Sequence, residues 1–358
     1  MKRKLLMLGV AAMAVMSSAV LAQQAGYPII VTAPGKGPFN FPEGYKTDFS
    51  KVTMSVKEKL SPNLYVVHGS SGPDTAHPDG SGGRTAVLFG PDGVLMVDTQ
   101  NRQVTDKTLA AIRTFTKAPI KIVINSHAHS DHTGGNAFFA KQGAVIIGQQ
   151  NLAYELTPGP DARPEQKADF DPIALPKVTY NYDPKKPGTP ALTIYMNGEI
   201  VDAIPMMPSH LGGDTVVRFR NANVIYIEDF YRNFGYPYAD QANGGSIQGM
   251  LDAIDLFMKL SNDKTILVPG HGHLIHKAEL LPYRKMIVEV RNKVTDLKKA
   301  GKSLKDVLAM DLTKPYDNGT DGDTKQSKDR FISEVYAETN GVTLPPIVEG
   351  RRKMPKYD

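Results

Sequence analysis

The chain has 358 residues, with 42 Lys and Arg against 37 Asp and Glu, and no cysteine. Without thiols there is no disulfide framework and no thiolate ligand, so any metal site must use nitrogen and oxygen donors. The basic excess sits mostly at the start: residues 1–22 hold three basic residues and no acid, and the rest of the chain carries 39 basic against 37 acidic residues. That balance argues against nucleic acid or an anionic membrane surface as a partner.

Lys2, Arg3 and Lys4 precede an apolar run from Leu5 to Val15, and SSAVLA at 17–22 puts Val20 and Ala22 at the small-residue positions of a signal-peptidase site. The run is short for a membrane span of about 20 residues. Residues 1–22 are therefore expected to be a cleaved signal peptide. The mature chain is expected to be periplasmic or secreted, with no stable membrane anchor.

Residues 23–60, rich in Gly and Pro, read as an extended arm. From Leu64 the pattern is β: LYVVHG, TAVLFG and VLMVDT are short β-branched runs broken by Gly, Pro and Asp turns. KTLAAIRTF at 107–115 reads as helix, IKIVINS at 120–126 as a buried strand, NAFFAKQG as a short helix and AVIIG as another strand. Residues 155–190 are polar and Pro-rich and read as a loop excursion within one domain. Strands return at LTIYM, EIVDAIPM, VVRF and NVIYIED. Ile247, Met250, Leu251, Ile254, Phe257 and Met258 fall at helical spacing, one buried stripe. ILVPGH is a strand running into a loop, and an amphipathic helix follows over roughly 277–300. The order, strands first and then strands mixed with helices, predicts an α/β domain over 61–300 whose sheets are covered by helices. Residues 301–358 form a C-terminal extension with helices near 303–310 and 325–338.

INSHAHSDHTGG at 124–135 places three of the nine histidines and an aspartate within six residues. Imidazole is costly to bury unless both nitrogens are satisfied. The candidates are a metal, a catalytic dyad or a solvated loop. Further polar residues follow apolar runs in the same way: Asp98 after VLMV, His210 in PMMPSHLGGDT, Asp229 after NVIYIE and His271 after ILVPG. Strand ends along one sheet edge are where sites are assembled. In a tightly turning segment His127 and His129 project together, and Asp131 and His132 project to a neighbouring point. One loop can then serve two metal ions. His127, His129 and His210 make an all-nitrogen set, Asp131, His132 and His271 a mixed set, and Asp229 is placed to bridge. Asp98 reads as a residue that orients a ligand histidine, Asp214 as a turn cap, and Met206 and Met207 as core.

The ordered pattern His-x-His-x-Asp-His, then His210, Asp229 and His271, with VDTQ at 97–100, DHTGGN at 131–136, HLGGDT at 210–215 and VPGHG at 268–272, resembles the metallo-β-lactamase-fold hydrolases over roughly residues 60–300. The resemblance implies an αβ/βα sandwich with a dinuclear site in the cleft between two sheets, and the same division of ligands between two metals. It implies two Zn2+ per chain, with iron or manganese as alternatives, and a metal-bound hydroxide attacking a substrate carbonyl, with Asp131 orienting it. Export and the ligand set fit a small cyclic amide or ester, of β-lactam or lactone type. A thioester hydrolase of glyoxalase II type is the alternative, and a binding protein that holds metal without catalysis is the reading from another class. Three departures bear on the branch. Glu228 stands where the thioester branch carries Gly, no Cys ligand exists, and His129 replaces the Glu of the iron-bearing redox branch.

Two loops are candidates for substrate choice: the Gly-rich stretch 70–83, and 231–245 with Tyr231, Asn233, Tyr236 and Tyr238. For any single residue of the second loop, ordinary packing is the simpler expectation.

Overall fold

Side chains of a strand alternate between the two faces of its sheet, so a strand buried on both faces reads as a continuous apolar run whose odd and even residues enter different cores. In the computed structural model, which describes residues 48–69, 82–158, 170–232, 235–317 and 324–339, this is what the apolar runs do. Strands β1 (Ser55–Ser61), β2 (Leu64–His68), β3 (Thr85–Gly90), β4 (Gly93–Val97), β5 (Ile120–Ile124), β6 (Val145–Gln149) and β7 (Val178–Tyr180) form one seven-stranded sheet in that order. The first four pair antiparallel and the rest parallel. Strands β8 (Leu192–Met196), β9 (Glu199–Pro205), β10 (Thr215–Phe219), β11 (Val224–Glu228) and β12 (Ile266–Pro269) form a second sheet, in the order β12-β11-β10-β9-β8, with β11 and β12 parallel.

The two sheets face each other. Leu64, Val66, Leu88, Leu95, Val97 and Ile124 of the first meet Val201, Ala203, Val217, Phe219, Tyr226 and Val268 of the second. The intervening residues Val67, Val87, Val94, Met96 and Val123 point the other way, under helix α1 (Thr105–Ile112) and helix α3 (Asn136–Lys141). The outer face of the second sheet carries Ile204, Val216, Ile225 and Ile227, covered by α5 (Ile247–Leu260), α6 (Lys277–Lys299) and the C-terminal α8 (Lys325–Glu338) through Met250, Ile254, Phe257, Ile287, Val290 and Phe331. The result is helix, sheet, sheet, helix, the sandwich expected, followed by a C-terminal helical region. Full burial of one such aliphatic or aromatic side chain stabilises the fold by about 1.5–3 kcal/mol.

The helix starts are written locally. Ser246 accepts the Gly249 N–H ahead of α5, and Thr324 accepts the Ser327 N–H ahead of α8. A capping box joins Ser303 and Asp306 ahead of α7 (Leu304–Leu308). Ahead of α6, Glu279 Oε2 accepts the His276 N–H at 3.1 Å.

Two elements differ from expectation. The polar stretch 155–190 contains β7, which edges the first sheet, and α4 (Gln150–Leu156) runs into its start. β1, at the end of the 23–60 arm, pairs with β2 as the opposite edge. The expectations for residues 1–22, for 23–47 of the arm, for loop residues 70–81 and for 340–358 lie outside the described residues. Among the described residues no helix is long and apolar enough to cross a membrane.

Candidate metal centre

Parallel pairing of β4 with β5, and of β11 with β12, sends the C-terminal ends of all four strands to one edge of the sandwich. Past β4 the chain turns at Asp98, whose φ is +65°. Past β5 it runs through Ser126 and His127 into the short helix α2 (Ser130–Thr133). The two sheets are joined here by the Thr215 N–H, which donates to the Ser126 carbonyl at 2.7 Å. The glycines of DHTGGN have a steric reason. A Cβ at Gly134 would press on the backbone of Arg102 and Ser130, and one at Gly135 on the Thr99 carbonyl. The loop therefore packs against the 99–102 turn only with glycine at both places.

All seven predicted residues converge on this edge. His127, His129, His210 and Asp229 form one group, and Asp131, His132 and His271 another, each offering ligand atoms within 4.8 Å of one another. The imidazoles of His127, His129 and His210 stand nearly perpendicular, with ring centroids 5.0, 4.7 and 4.9 Å apart. Asp229 lies between the groups: its carboxylate oxygens are 3.5 Å from His132 Nε2, 3.7 Å from His210 Nε2 and 3.3 Å from His271 Nε2. His271 Nε2 is also 3.1 Å from Asp131 Oδ2.

The neighbours fix which ring nitrogen is free. His132 donates Nδ1–H to Asp98 Oδ2 at 2.8 Å. His210 donates Nδ1–H to the Tyr238 carbonyl at 2.8 Å. His129 donates Nε2–H to Asp240 Oδ2 at 3.0 Å, which leaves its Nδ1 facing His210 Nε2 at 3.2 Å. His127 Nδ1 sits 3.0 Å from both Ser126 Oγ and Glu228 Oε2. Each pairing turns the other ring nitrogen inward, the usual way a protein orients an imidazole for a metal. Asp98 has no exposure and is fully used: Oδ1 accepts the Ser126 N–H at 2.7 Å, and Oδ2 accepts Ser126 Oγ–H, His132 Nδ1–H and Tyr226 Oη–H.

His127 Nε2, His132 Nε2 and Asp229 Oδ1 are buried and make no hydrogen bond among the described residues. An unsatisfied buried polar atom costs about 1–3 kcal/mol, and three such atoms aimed at common points fit a cation. The donor set, imidazole nitrogen and carboxylate oxygen, suits zinc and comparable first-row dications.

The charge states divide between the groups. Burial holds His127 well below its usual range and His210 at about 3, so both are neutral and ready to ligate. Burial also works against the charged form of His132, but Asp131, Asp98 and Asp229 outweigh it and raise the group to about 10. His271 is raised too, by Asp229 and Asp131 against its burial. Asp131 and Asp229 are lowered by these histidines, although burial opposes the shift.

Some participants had no sequence signal strong enough to name them. Asp240 and the Tyr238 carbonyl act through the 236–245 fold, not through a motif. Glu228, with φ of +43°, turns its carboxylate to His127 Nδ1 and to the Asp229 N–H at 2.7 Å. Of the loop tyrosines, Tyr236 donates its Oη–H to the Thr313 carbonyl and to Asp317, which is packing. Tyr231 packs on Tyr283, and Tyr238 stacks on His129 with rings 9° apart. Asn233 lies outside the described residues. Asp214 does cap a turn, accepting the Leu211 N–H, and Met206 is core.

The chain matches the family profile of the Metallo-beta-lactamase superfamily over residues 79–271. It belongs to that superfamily. Among curated proteins it is similar to the 2,4-dinitroanisole O-demethylase subunit alpha of Nocardioides sp. (strain JS1661), 29% identical over 148 residues, or 41% of this chain and 40% of that protein's length. Among solved structures it is similar to a metallo-beta-lactamase from Pontibacter korlensis, with TM-score 0.53 and 16% identity over 66% of this chain and 99% of that one. DIM-1 metallo-beta-lactamase aligns with TM-score 0.49 and 15% identity over 66% of this chain and 98% of that one. At 16% identity the likeness to the Pontibacter korlensis structure speaks for the fold.

Proposed function

We propose that the protein is an exported dinuclear zinc hydrolase that cleaves a small cyclic amide or ester, of β-lactam or lactone type. The observation that carries the reading is the position of Asp229, whose carboxylate lies within 3.3–3.7 Å of Nε2 of His132, His210 and His271 and so between the two ligand groups. His127, His129 and His210 would hold one ion and Asp131, His132 and His271 the other, with Asp229 between them. Bound dications would supply a water acidified toward neutral pH and a Lewis acid for the carbonyl oxygen.

The chain's own residues do the rest. Asp98, Asp240 and the Tyr238 carbonyl hold three imidazoles, those of His132, His129 and His210, in fixed orientations before substrate arrives, and Glu228 Oε2 lies 3.0 Å from Nδ1 of the fourth, His127. Asp131 is a quarter exposed in its side chain, against 4% for Asp229. Its carboxylate is thus the more solvent-accessible of the two, and the one to orient water and pass a proton outward. Export is supported by the basic start, short apolar run and small-residue pattern of residues 1–22.

Glu228 bears on the thioester alternative. A residue at φ +43° favours Gly, the residue the thioester branch carries there, and here a side chain that orients His127 occupies the position. A second reading comes from the curated relative, whose name assigns it O-demethylation of an aryl ether. The test is hydrolysis by zinc-loaded chain, with and without chelator, of a chromogenic cephalosporin, an aliphatic lactone, a thioester and 2,4-dinitroanisole. Chelator-sensitive turnover of the lactam or lactone at kcat/KM of about 10⁴ M⁻¹s⁻¹ or more is expected. Turnover at that level confined to the thioester or the ether would move the assignment to those chemistries. No turnover on any of the four would overturn it.

A further inference from the structure

Helix α8 lies beyond the residues that match the superfamily, yet one face of it packs on the segment 236–248, which orients two of the histidines. Ser327, Arg330, Glu334 and Glu338 recur at spacings of three and four, which puts them on one stripe of a helix. Each contacts the segment 236–248. Ser327 Oγ accepts the Tyr236 N–H at 2.9 Å. Arg330 donates Nη2–H to the carbonyls of Tyr236 and Pro237 at 3.0 and 3.3 Å, and its guanidinium lies 4.5 Å from the Tyr238 ring centre. Glu334 Oε2 accepts the Ala239 N–H at 3.1 Å, and the Glu334 carbonyl accepts Gln241 Nε2–H at 2.9 Å. Glu338 accepts Ser246 Oγ–H, Ile247 N–H and Gln248 N–H, closing the far end of the loop at the start of α5.

The braced segment in turn sets two ligands of the three-histidine group. The Tyr238 carbonyl holds His210 Nδ1, the Tyr238 ring stacks on His129, Asp240 holds His129 Nε2, and the Asp240 N–H donates to the His210 carbonyl at 2.8 Å. The other group is oriented differently. His132 is held by Asp98, just past the end of β4, and Asp98 in turn accepts the Tyr226 Oη–H from within β11. Among the described residues, the partners of His132, Asp98 and Tyr226 include none from α8.

We infer that α8 is a positioning element for one metal position only: Arg330, Glu334 and Glu338, through Tyr238 and Asp240, set the affinity of the His127–His129–His210 position and leave the Asp131–His132–His271 position untouched. The inference rests on the two-ion reading above. None of these three α8 residues touches a ligand atom, and each acts through the loop.

The experiment is Co2+ titration of the full-length chain, followed by visible absorption, on wild type, Arg330→Lys, Glu334→Gln, Glu338→Ala and the milder Glu338→Gln. His210→Ala identifies which binding phase belongs to the three-histidine position. Variants are used only where a thermal melt stays cooperative, and Glu338→Gln keeps a folded case in hand. The expected result is a loss of about tenfold in Co2+ affinity for the three-histidine phase, with the other phase unchanged. Two unchanged phases in folded variants would overturn the inference. So would equal weakening of both, which is what general loosening of the domain gives. A wild-type chain with no Co2+ uptake, or with a single phase, would overturn the two-ion reading and this inference with it. Two wild-type phases with unaltered variants would overturn the inference alone.

Discussion

Replacing Asp98 with Asn alters one oxygen of a side chain that has no solvent exposure and four hydrogen-bond donors around it. The backbone does not object, because φ at this position is +65° and Asn tolerates the left-handed region better than most residues. The effect is therefore that of the charge and the acceptor. If the new amide replaces Oδ2, its N–H groups face His132 Nδ1–H, Ser126 Oγ–H and Tyr226 Oη–H. If it replaces Oδ1, it faces the Ser126 N–H. Either way at least one charge-assisted hydrogen bond is lost and a donor is set against a donor, worth about 2–3 kcal/mol of folding stability. His132 also loses the partner that fixes its tautomer. Loss of such a partner weakens metal binding by about 10–100-fold, or roughly 1.4–2.7 kcal/mol. The assay is zinc competition with a chromophoric chelator, run beside a thermal melt. Lower stability with wild-type zinc affinity at both positions would refute the role given to Asp98.

Three other outcomes are expected. Gly270→Ala would drive a Cβ into Asp229 Oδ1 and to 2.9 Å from the His132 ring, so zinc stoichiometry measured by mass spectrometry falls while the far core stays folded. Full zinc content would contradict the placement of Asp229. Glu228→Gly relieves a backbone at φ +43°, which offsets the roughly 0.5–1 kcal/mol that glycine costs in chain entropy, but it removes the carboxylate from His127. The metal-free chain should lose about the 1–3 kcal/mol of a buried Asp229 N–H left without its acceptor while zinc affinity falls about tenfold, and unchanged zinc affinity would count against it. His132 is raised to about 10, so at pH 7 the metal-free chain holds a proton there that zinc must displace, while His127 and His210 have none to release. Calorimetry in buffers of different ionisation heat should show at least about one proton released per zinc at the His132 position. Affinity there should rise with pH from 7 to about 10 and then level off. The same proton makes a folded-state contribution that is complete below the unfolded histidine range and lost as pH rises through about 10. Zinc uptake at pH 7 with no proton release would refute this assignment.

Much of the sandwich was legible because its strands are buried on both faces: Val94 to Val97 and Val123 to Ile124 leave no polar position to blur the run. The candidate ligands were legible because they cluster in the segments that follow such runs. The less readable parts fail for physical reasons. β7 has three residues, two of them exposed, so neither length nor alternation marks it. Asp240 sits in a loop with no periodicity, and a backbone carbonyl such as that of Tyr238 carries no residue type to read. The spacing of Arg330, Glu334 and Glu338 marks a helix face, but the charges suggest solvent, and only the tertiary structure turns that face onto backbone N–H groups and carbonyls.

The central claim is that one loop feeds two cation positions that share Asp229. The most direct measurement is the zinc content of the chain at saturation, by mass spectrometry under non-denaturing conditions, for wild type, His210→Ala and His271→Ala. Two zinc ions in the wild type and one in each variant is the predicted result. A single ion in the wild type, retained in one variant and lost in the other, would contradict it.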